Sequence, residues 1–226
     1  TAVVPAGEQL LAPHLRPELE TVTFGDHGDV RFVSQSPTRV EIDARGERVE
    51  LELEFSAPHL RQDLLAAVAA ACAVGVTPGG QLAFKPSAGR GQRRVLDGGV
   101  TLIDDAYNAN PMSMRAALDA LGSSAPSGRR VAVLGDMLEL GPSAETYHRE
   151  IGRYASTHAE VLVTVGPLAA AMAEEFDGPR HVTADAQEAA ELLPGVVRSG
   201  DTVLIKGSLG VGLKLVCETL TAVTAA

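Results

Sequence analysis

The stretch Leu102–Met114, LIDDAYNANPMSM, packs two adjacent carboxylates, a tyrosine and two asparagines into residues 104–110. An apolar run precedes this cluster and a helical period follows it, so the polar residues fall where a strand ends and a helix begins. In an open α/β sheet, the carboxyl end of a strand is where ligands bind. A helix cap plus a polar turn is the competing account of the same residues.

Downstream of residue 91 the pattern is regular. Apolar strands are expected at Val100–Ile103, Arg130–Leu134, Val161–Val165 and Thr202–Ile205. Helical stretches at Pro111–Leu121, Ala144–Ser156, Pro167–Glu175, Ala186–Leu193 and Leu209–Val223 alternate with them. Such alternation predicts an α/β fold: a Rossmann-like, mainly parallel sheet with helices on both faces.

The first half reads differently. Thr21–Phe24, Val30–Gln35, Arg39–Ala44 and Glu47–Phe55 are short strand-like runs, and Ala44-Arg45-Gly46-Glu47 suits a hairpin between the last two. An alanine-rich helix over Arg61–Val76 is ended by Gly75 and then Pro78-Gly79-Gly80. Lys85–Gly91, KPSAGRG, has the composition of a linker. Two domains are therefore expected: residues 1–87 as the β-rich and helical end of a larger domain, and residues 88–226 as the parallel-sheet domain.

Composition narrows the function. The formal net charge of -10, with no basic cluster, argues against a nucleic-acid surface. No apolar run approaches the roughly 20 residues of a membrane span, and no signal peptide is visible at Thr1. Cys72 and Cys217 lack metal-ligand spacing and suit free thiols in a reducing cytoplasm. The six histidines form no HExxH pair, and no Ser-His-Asp or Cys-His arrangement can be assembled.

Several other groups could carry chemistry. Gly207–Lys214, GSLGVGLK, looks like a phosphate loop, but Leu213 separates the last glycine from the lysine and Leu215 stands where a hydroxyl is needed. A helix N-terminus there could still hold an anion such as a substrate carboxylate, against a simple strand-to-helix turn. Asp136, after the Arg130–Leu134 strand, could receive a ligand ammonium group or cap a turn. His148 on the next helix either faces the same cleft or packs on it. Arg90, with Lys85 nearby, could reach a phosphate through its planar fork or serve as a solvated linker charge.

The combination LIDDAYNANPMSMRAAL, VAVLGDMLELG, His148 with Ile151-Gly152, and LIKGS resembles the Mur ligases, specifically the branch that adds D-alanyl-D-alanine to UDP-N-acetylmuramoyl-tripeptide. The resemblance covers essentially the whole chain, because Val22-Thr23-Phe24-Gly25 and the β-rich segment after it look like the end of the family's central ATPase domain. It implies a cytoplasmic, monomeric ligase of peptidoglycan, and hence cell-wall, synthesis, with roles in cell shape and division. ATP, with magnesium, phosphorylates the substrate carboxylate in that family, and the dipeptide amine attacks the acyl phosphate. By resemblance, Asp105 contacts the ATP ribose, Tyr107 lies beside the adenine, and Asn108 and Asn110 line the same loop. Arg90 matches the linker arginine that reaches the nucleotide phosphates. Asp136 and the Lys206-Gly207-Ser208 turn match contacts to the dipeptide.

Departures accompany the match. The family's phosphate loop, carbamylated lysine and magnesium ligands belong to segments that this sequence does not contain, so no catalytic or metal-binding residue is expected here. The chain by itself is expected to be inactive. The family's HNxxNALAA helix motif stands as His59-Leu60-Arg61-Gln62-Asp63-Leu64-Leu65-Ala66-Ala67, which puts Asp63 at an adenine-contacting asparagine. A carboxylate cannot donate to a ring nitrogen. Leu209 replaces the arginine usual after Gly-Ser. Two alternatives remain: another amide ligase of the superfamily, such as a muramyl amino acid or folylpolyglutamate type, or a non-catalytic α/β binding module derived from one.

Overall fold

The structure, a computed structural model, describes residues 1–54, 58–83 and 89–224, with backbone only at 58, 59 and 224. The expected strand end at Phe55, the linker residues Lys85 to Ala88 and the side chain of His59 lie outside the described residues. The chain divides into two compact units, Thr1–Lys85 and Pro86–Ala226.

The first unit runs β1 (Ala2–Pro5), β2 (Thr21–Phe24), β3 (Val30–Gln35), β4 (Arg39–Ala44), β5 (Glu47–Leu53), α1 (Pro58–Ala73) and β6 (Gly80–Leu82). Its sheet has the order β1-β2-β3-β4-β5-β6, antiparallel at β3/β4 and β4/β5 and parallel elsewhere. The β4–β5 hairpin closes as expected. Arg45 and Gly46 both take positive φ, 60° and 91°, the geometry that matches a two-residue turn to strand twist. The Asp43 carboxylate accepts from the Gly46 amide at 2.8 Å. Helix α1 lays Leu64, Leu65, Val68 and Ala69 against Val22, Ile42 and Leu51 to form the core of this unit. It starts and stops earlier than the Arg61–Val76 span read from the sequence. Gly75 adopts φ 78°, and the Val76 amide bonds back to the Ala71 carbonyl at 2.9 Å, so the chain turns out of the helix there.

The second unit runs β7 (Gln92–Val95), β8 (Thr101–Asp105), α2 (Pro111–Gly122), β9 (Arg130–Gly135), α3 (Ala144–Ala155), β10 (Val161–Val165), α4 (Ala170–Glu174), β11 (Arg180–Thr183), α5 (Ala186–Val196), β12 (Thr202–Lys206) and α6 (Lys214–Thr224). Its sheet order is β11-β10-β9-β12-β8-β7, parallel throughout except for β7 against β8. Every residue of β10 and β12 is buried, as a strand covered on both faces requires. On one face Met114 and Leu118 of α2, Ile151 of α3 and Met172 of α4 pack on Ile103, Leu134 and Leu204. On the other, Leu193 of α5 and Val216 and Leu220 of α6 pack on Leu102, Val133 and Val203. This is the mainly parallel, two-faced α/β sheet that the sequence predicts.

Four described strands, β1, β6, β7 and β11, are additions to the sequence reading, and each is an edge strand of its sheet. Two helices start several residues later than read. Gly212 at φ 79° interrupts the Leu209–Val223 stretch, leaving a 3-10 turn at Leu209–Val211 before α6. Likewise α4 covers only Ala170–Glu174 of the expected Pro167–Glu175.

Candidate functional site

Strand β12 lies between β8 and β9. The chains leaving β8 and β9 pass to α2 and α3 on one face, whereas the chain leaving β12 passes to α6 on the other. Where neighbouring strands send their connections to opposite faces, a crevice opens at the carboxyl ends, the switch point at which open α/β sheets bind ligands. The loops after β8, β9 and β12 leave the sheet at this switch point.

The two carboxylates of the quoted stretch occupy the last positions of β8 instead of the turn beyond it, and strand alternation separates their surroundings. Asp104 is largely buried and meets Arg94 at 3.4 Å. Burial, then the nearby Asp104 charge, pushes the Cys217 thiol well above its usual range, which makes Cys217 an inert apolar packing residue. Asp105 stands in register with Lys206 across the β8/β12 ladder. The Lys206 ammonium donates to Asp105 Oδ2 at 2.6 Å and to the Asn108 carbonyl at 2.9 Å. The lysine side chain is 3% exposed and the aspartate 23%.

Beyond β8 the chain turns through Tyr107, whose amide donates to the Gly89 carbonyl at 3.0 Å. The Arg90 guanidinium sits over the Tyr107 ring, 4.0 Å from its centroid, a cation–π contact between two exposed side chains. Gly89 has φ 72°, which strains any L side chain, and a Cβ there would also lie tight against the Tyr107 nitrogen at 3.2 Å. Asn110 is the N-cap of α2. Its side chain accepts from the Ser113 amide at 2.8 Å, the Ser113 hydroxyl accepts from the Asn110 amide at 3.1 Å, and Pro111 opens the helix. The polar stretch is therefore a helix cap that stands at the switch point. Asn108 places its side-chain oxygen 2.8 Å from the Ala109 amide.

The loop after β9 is fixed from three sides. Asp136 is buried, and its Oδ1 accepts from the Ala169 amide at 2.6 Å. Gly166 closes over it at φ 108°, where a Cβ would stand 2.6 Å from the carboxylate. In this arrangement Asp136 caps the turn after β10. His148, fully buried, packs under the loop and accepts from the Met137 amide at Nε2, 2.9 Å away. Ser208 donates its amide to the Asp136 carbonyl at 3.0 Å and accepts from the Leu138 amide at 2.9 Å on Oγ. Gly207 faces Gly135 on the neighbouring strand beneath Leu213. A Cβ on Gly207 would meet Leu213 at 2.6 Å, so its small size answers a packing need.

The structure thus brings Asp105, Asn108 and Lys206 together, sets Tyr107 against Arg90, and joins Asp136 to Ser208. Asp63, exposed on α1, belongs to the first unit, and Lys85 lies outside the described residues. Sequence reading singled out Lys206, but as a dipeptide contact and not as the partner of Asp105, from which 101 positions separate it. Among the described residues no group of three histidines, cysteines or carboxylates could hold a metal ion. No described helix is long and apolar enough to cross a membrane.

A doubly wound sheet with polar loops at its switch point is the layout of a ligand-binding α/β domain. The profile described as "Mur ligase, glutamate ligase domain" matches residues 89–209, more than half of the chain, and the protein belongs to the Mur ligase family. It is 32% identical over 229 residues to the UDP-N-acetylmuramoyl-tripeptide–D-alanyl-D-alanine ligase of Bacillus subtilis (strain 168), covering 94% of this chain and 49% of that protein. It is 35% identical to the enzyme of the same name from Mycobacterium tuberculosis (strain CDC 1551 / Oshkosh), over 86% of this chain and 44% of that one. A crystal structure of MurF from Acinetobacter baumannii matches with a TM-score of 0.78 at 25% identity, covering 98% of this chain and 51% of the other. MurF ligase from Thermotoga maritima, crystallised in complex with ADP, shares the fold with a TM-score of 0.73 at 22% identity, over 98% of this chain and 53% of that one. The chain spans about half the length of the curated relatives it matches.

Proposed function

We propose that this chain is part of an ATP-dependent ligase that joins D-alanyl-D-alanine to UDP-N-acetylmuramoyl-tripeptide in cytoplasmic peptidoglycan synthesis, and that the enzyme acts as a monomer. On this reading residues 1–87 are the later part of the central ATPase domain and residues 88–226 are the family's carboxyl-terminal domain. The tripeptide carboxylate takes the γ-phosphoryl group of ATP and ADP leaves. The dipeptide amine then attacks the acyl carbon, loses a proton and expels phosphate. Magnesium would be held by residues beyond this sequence, as would the β- and γ-phosphates, so the chain alone should not ligate.

The observation that carries the reading is the Lys206–Asp105 pair in the switch-point crevice, within a chain whose relatives bear this name. The residues present suit the nucleoside end of ATP. Asp105 is partly exposed, and Lys206 occupies only its Oδ2 among the described residues, which leaves Oδ1 to accept from a ribose hydroxyl. The exposed Tyr107 ring can flank the adenine, and Arg90, released from that ring, has the fork for a phosphate. Asn108 lines this loop, whereas Asn110 contributes through its cap. Asp63 would stand on the adenine side. Asp136, Gly207 and Ser208 shape the neighbouring wall, where the dipeptide would sit, while the Lys206 ammonium is turned to Asp105 and the Asn108 carbonyl.

In the full-length enzyme, Asp105→Ala should raise the apparent KM for ATP about tenfold or more, the range expected for losing a hydrogen bond to a charged group. The KM for D-alanyl-D-alanine should stay unchanged. An unaltered KM for ATP would remove Asp105 from the nucleotide site. An amine screen that preferred glutamate over the dipeptide would move the protein to another branch of the family.

A further inference from the structure

We infer that Lys206 is a positioning residue: it sets the Asp105 carboxylate and the turn through Asn108 in the geometry that receives the nucleotide. This inference rests on the reading of Asp105 given above.

Within β12, Thr202 to Ile205 carry no charge, and Lys206 ends the strand as its one ionic residue. At 3% exposure its ammonium has almost no contact with water, which is costly for a cation unless hydrogen bonds replace the solvent. Two such bonds are present, one to Asp105 Oδ2 and one to the Asn108 carbonyl. A buried ion pair is a poor device for stability alone, since apolar residues of similar volume generally serve as well or better. Here the pair joins the last residue of β12 to the last residue of β8 and then to the turn beyond, so a single ammonium fixes a carboxylate rotamer and a loop together.

The asymmetry of the pair supports the same assignment. Lys206 is closed off, whereas Asp105 keeps 23% of its side chain open. The buried member supports and the open member presents. The next residues continue the pattern on the other side. Ser208 bonds the Asp136 carbonyl and the Leu138 amide, so the end of β12 clasps the β8 loop through Lys206 and the β9 loop through Ser208. In this arrangement two of the three Lys206 donors point to protein acceptors, and its effect on the nucleotide passes through Asp105.

The test is a double-mutant cycle in the full-length enzyme with Lys206→Met and Asp105→Ala, reading KM for ATP and for D-alanyl-D-alanine separately. Lys206→Met should raise the KM for ATP by no more than Asp105→Ala does. The double variant should match Asp105→Ala alone, and the dipeptide KM should not move. Lys206→Gln, which keeps an N–H donor group but loses the charge, should fall between Lys206→Met and the parent, and it serves as the test variant should the methionine form not fold. A raised dipeptide KM with ATP unaffected, or additive effects on the ATP KM, would overturn the inference. Amide hydrogen exchange of residues 106–110 supplies a readout independent of activity: faster exchange in Lys206→Gln supports positioning, and unchanged exchange contradicts it. Should Asp105→Ala leave the ATP KM unchanged, the nucleotide reading fails, while the exchange experiment still decides whether Lys206 holds the loop.

Discussion

His148 accepts from the Met137 amide at Nε2, and its Nδ1 lies 2.6 Å from the Ala144 carbonyl, so the proton resides on Nδ1. A lone histidine beside a candidate crevice invites a catalytic assignment, but both ring nitrogens are committed to backbone groups and the ring is fully buried. Its work is to hold the loop that carries Asp136. His148→Phe keeps the bulk but strands the Met137 N–H, and should cost about 1–3 kcal/mol in urea unfolding. A variant as stable as the parent would show that packing alone holds this loop. At this scale the sequence was partly legible. Asn110 before Pro111 and Ser113 lies in one short stretch, so a helix cap could be named as one account of it. The Asp136 carboxylate, by contrast, bonds an amide 33 positions away, and nothing local specifies that partner.

At the scale of elements, the Asp201 side chain fastens the amino ends of two central strands. It precedes β12 and accepts from the Arg129 amide ahead of β9 at 2.7 Å, from the Arg129 guanidinium at 2.7 Å and from the Arg198 amide at 2.9 Å. Burial by itself would raise this carboxyl, but the Arg129 and Arg198 hydrogen bonds outweigh burial and hold it below its ordinary 3.8. A carboxyl depressed in the folded state stabilises fully above its ordinary value, and that contribution is lost as pH falls below 3.8 through the folded value. Asp201→Asn should therefore lower the urea midpoint at about pH 7 and show a shallower loss towards about pH 2 than the parent. Parallel acid limbs for the two proteins would assign the acid sensitivity to other groups. The strands themselves show what periodicity can detect. The eight strands read from sequence are interior to their sheets and carry apolar residues for one or two packed faces. The additional strands β1, β6, β7 and β11 are the four edges, and Gln92-Arg93-Arg94 or Arg180-His181 has no apolar run to announce a strand. Edge strands tolerate such residues because one side of their ladder meets solvent.

At the scale of the whole molecule, each unit closes its own core: Val22, Ile42, Leu51 and Leu65 in the first, and the two faces of the β7–β12 sheet in the second. Residues 86–226 expressed alone should therefore unfold in one cooperative urea transition followed by far-ultraviolet circular dichroism, a probe suited to a chain without tryptophan. A gradual, non-cooperative loss of signal would show that the second unit depends on the first. By itself the sequence determined the alternation of buried strands and amphipathic helices, the hairpin at Arg45-Gly46 and the polar end of β8. These follow from local geometry, since backbone preference and apolar period act within a few residues. Only the tertiary structure decided the strand order. Insertion of β12 between β8 and β9 creates the switch point, buries Lys206 and sets it against Asp105. That order is selected by covering both faces of one sheet with helices, a condition met across more than a hundred residues.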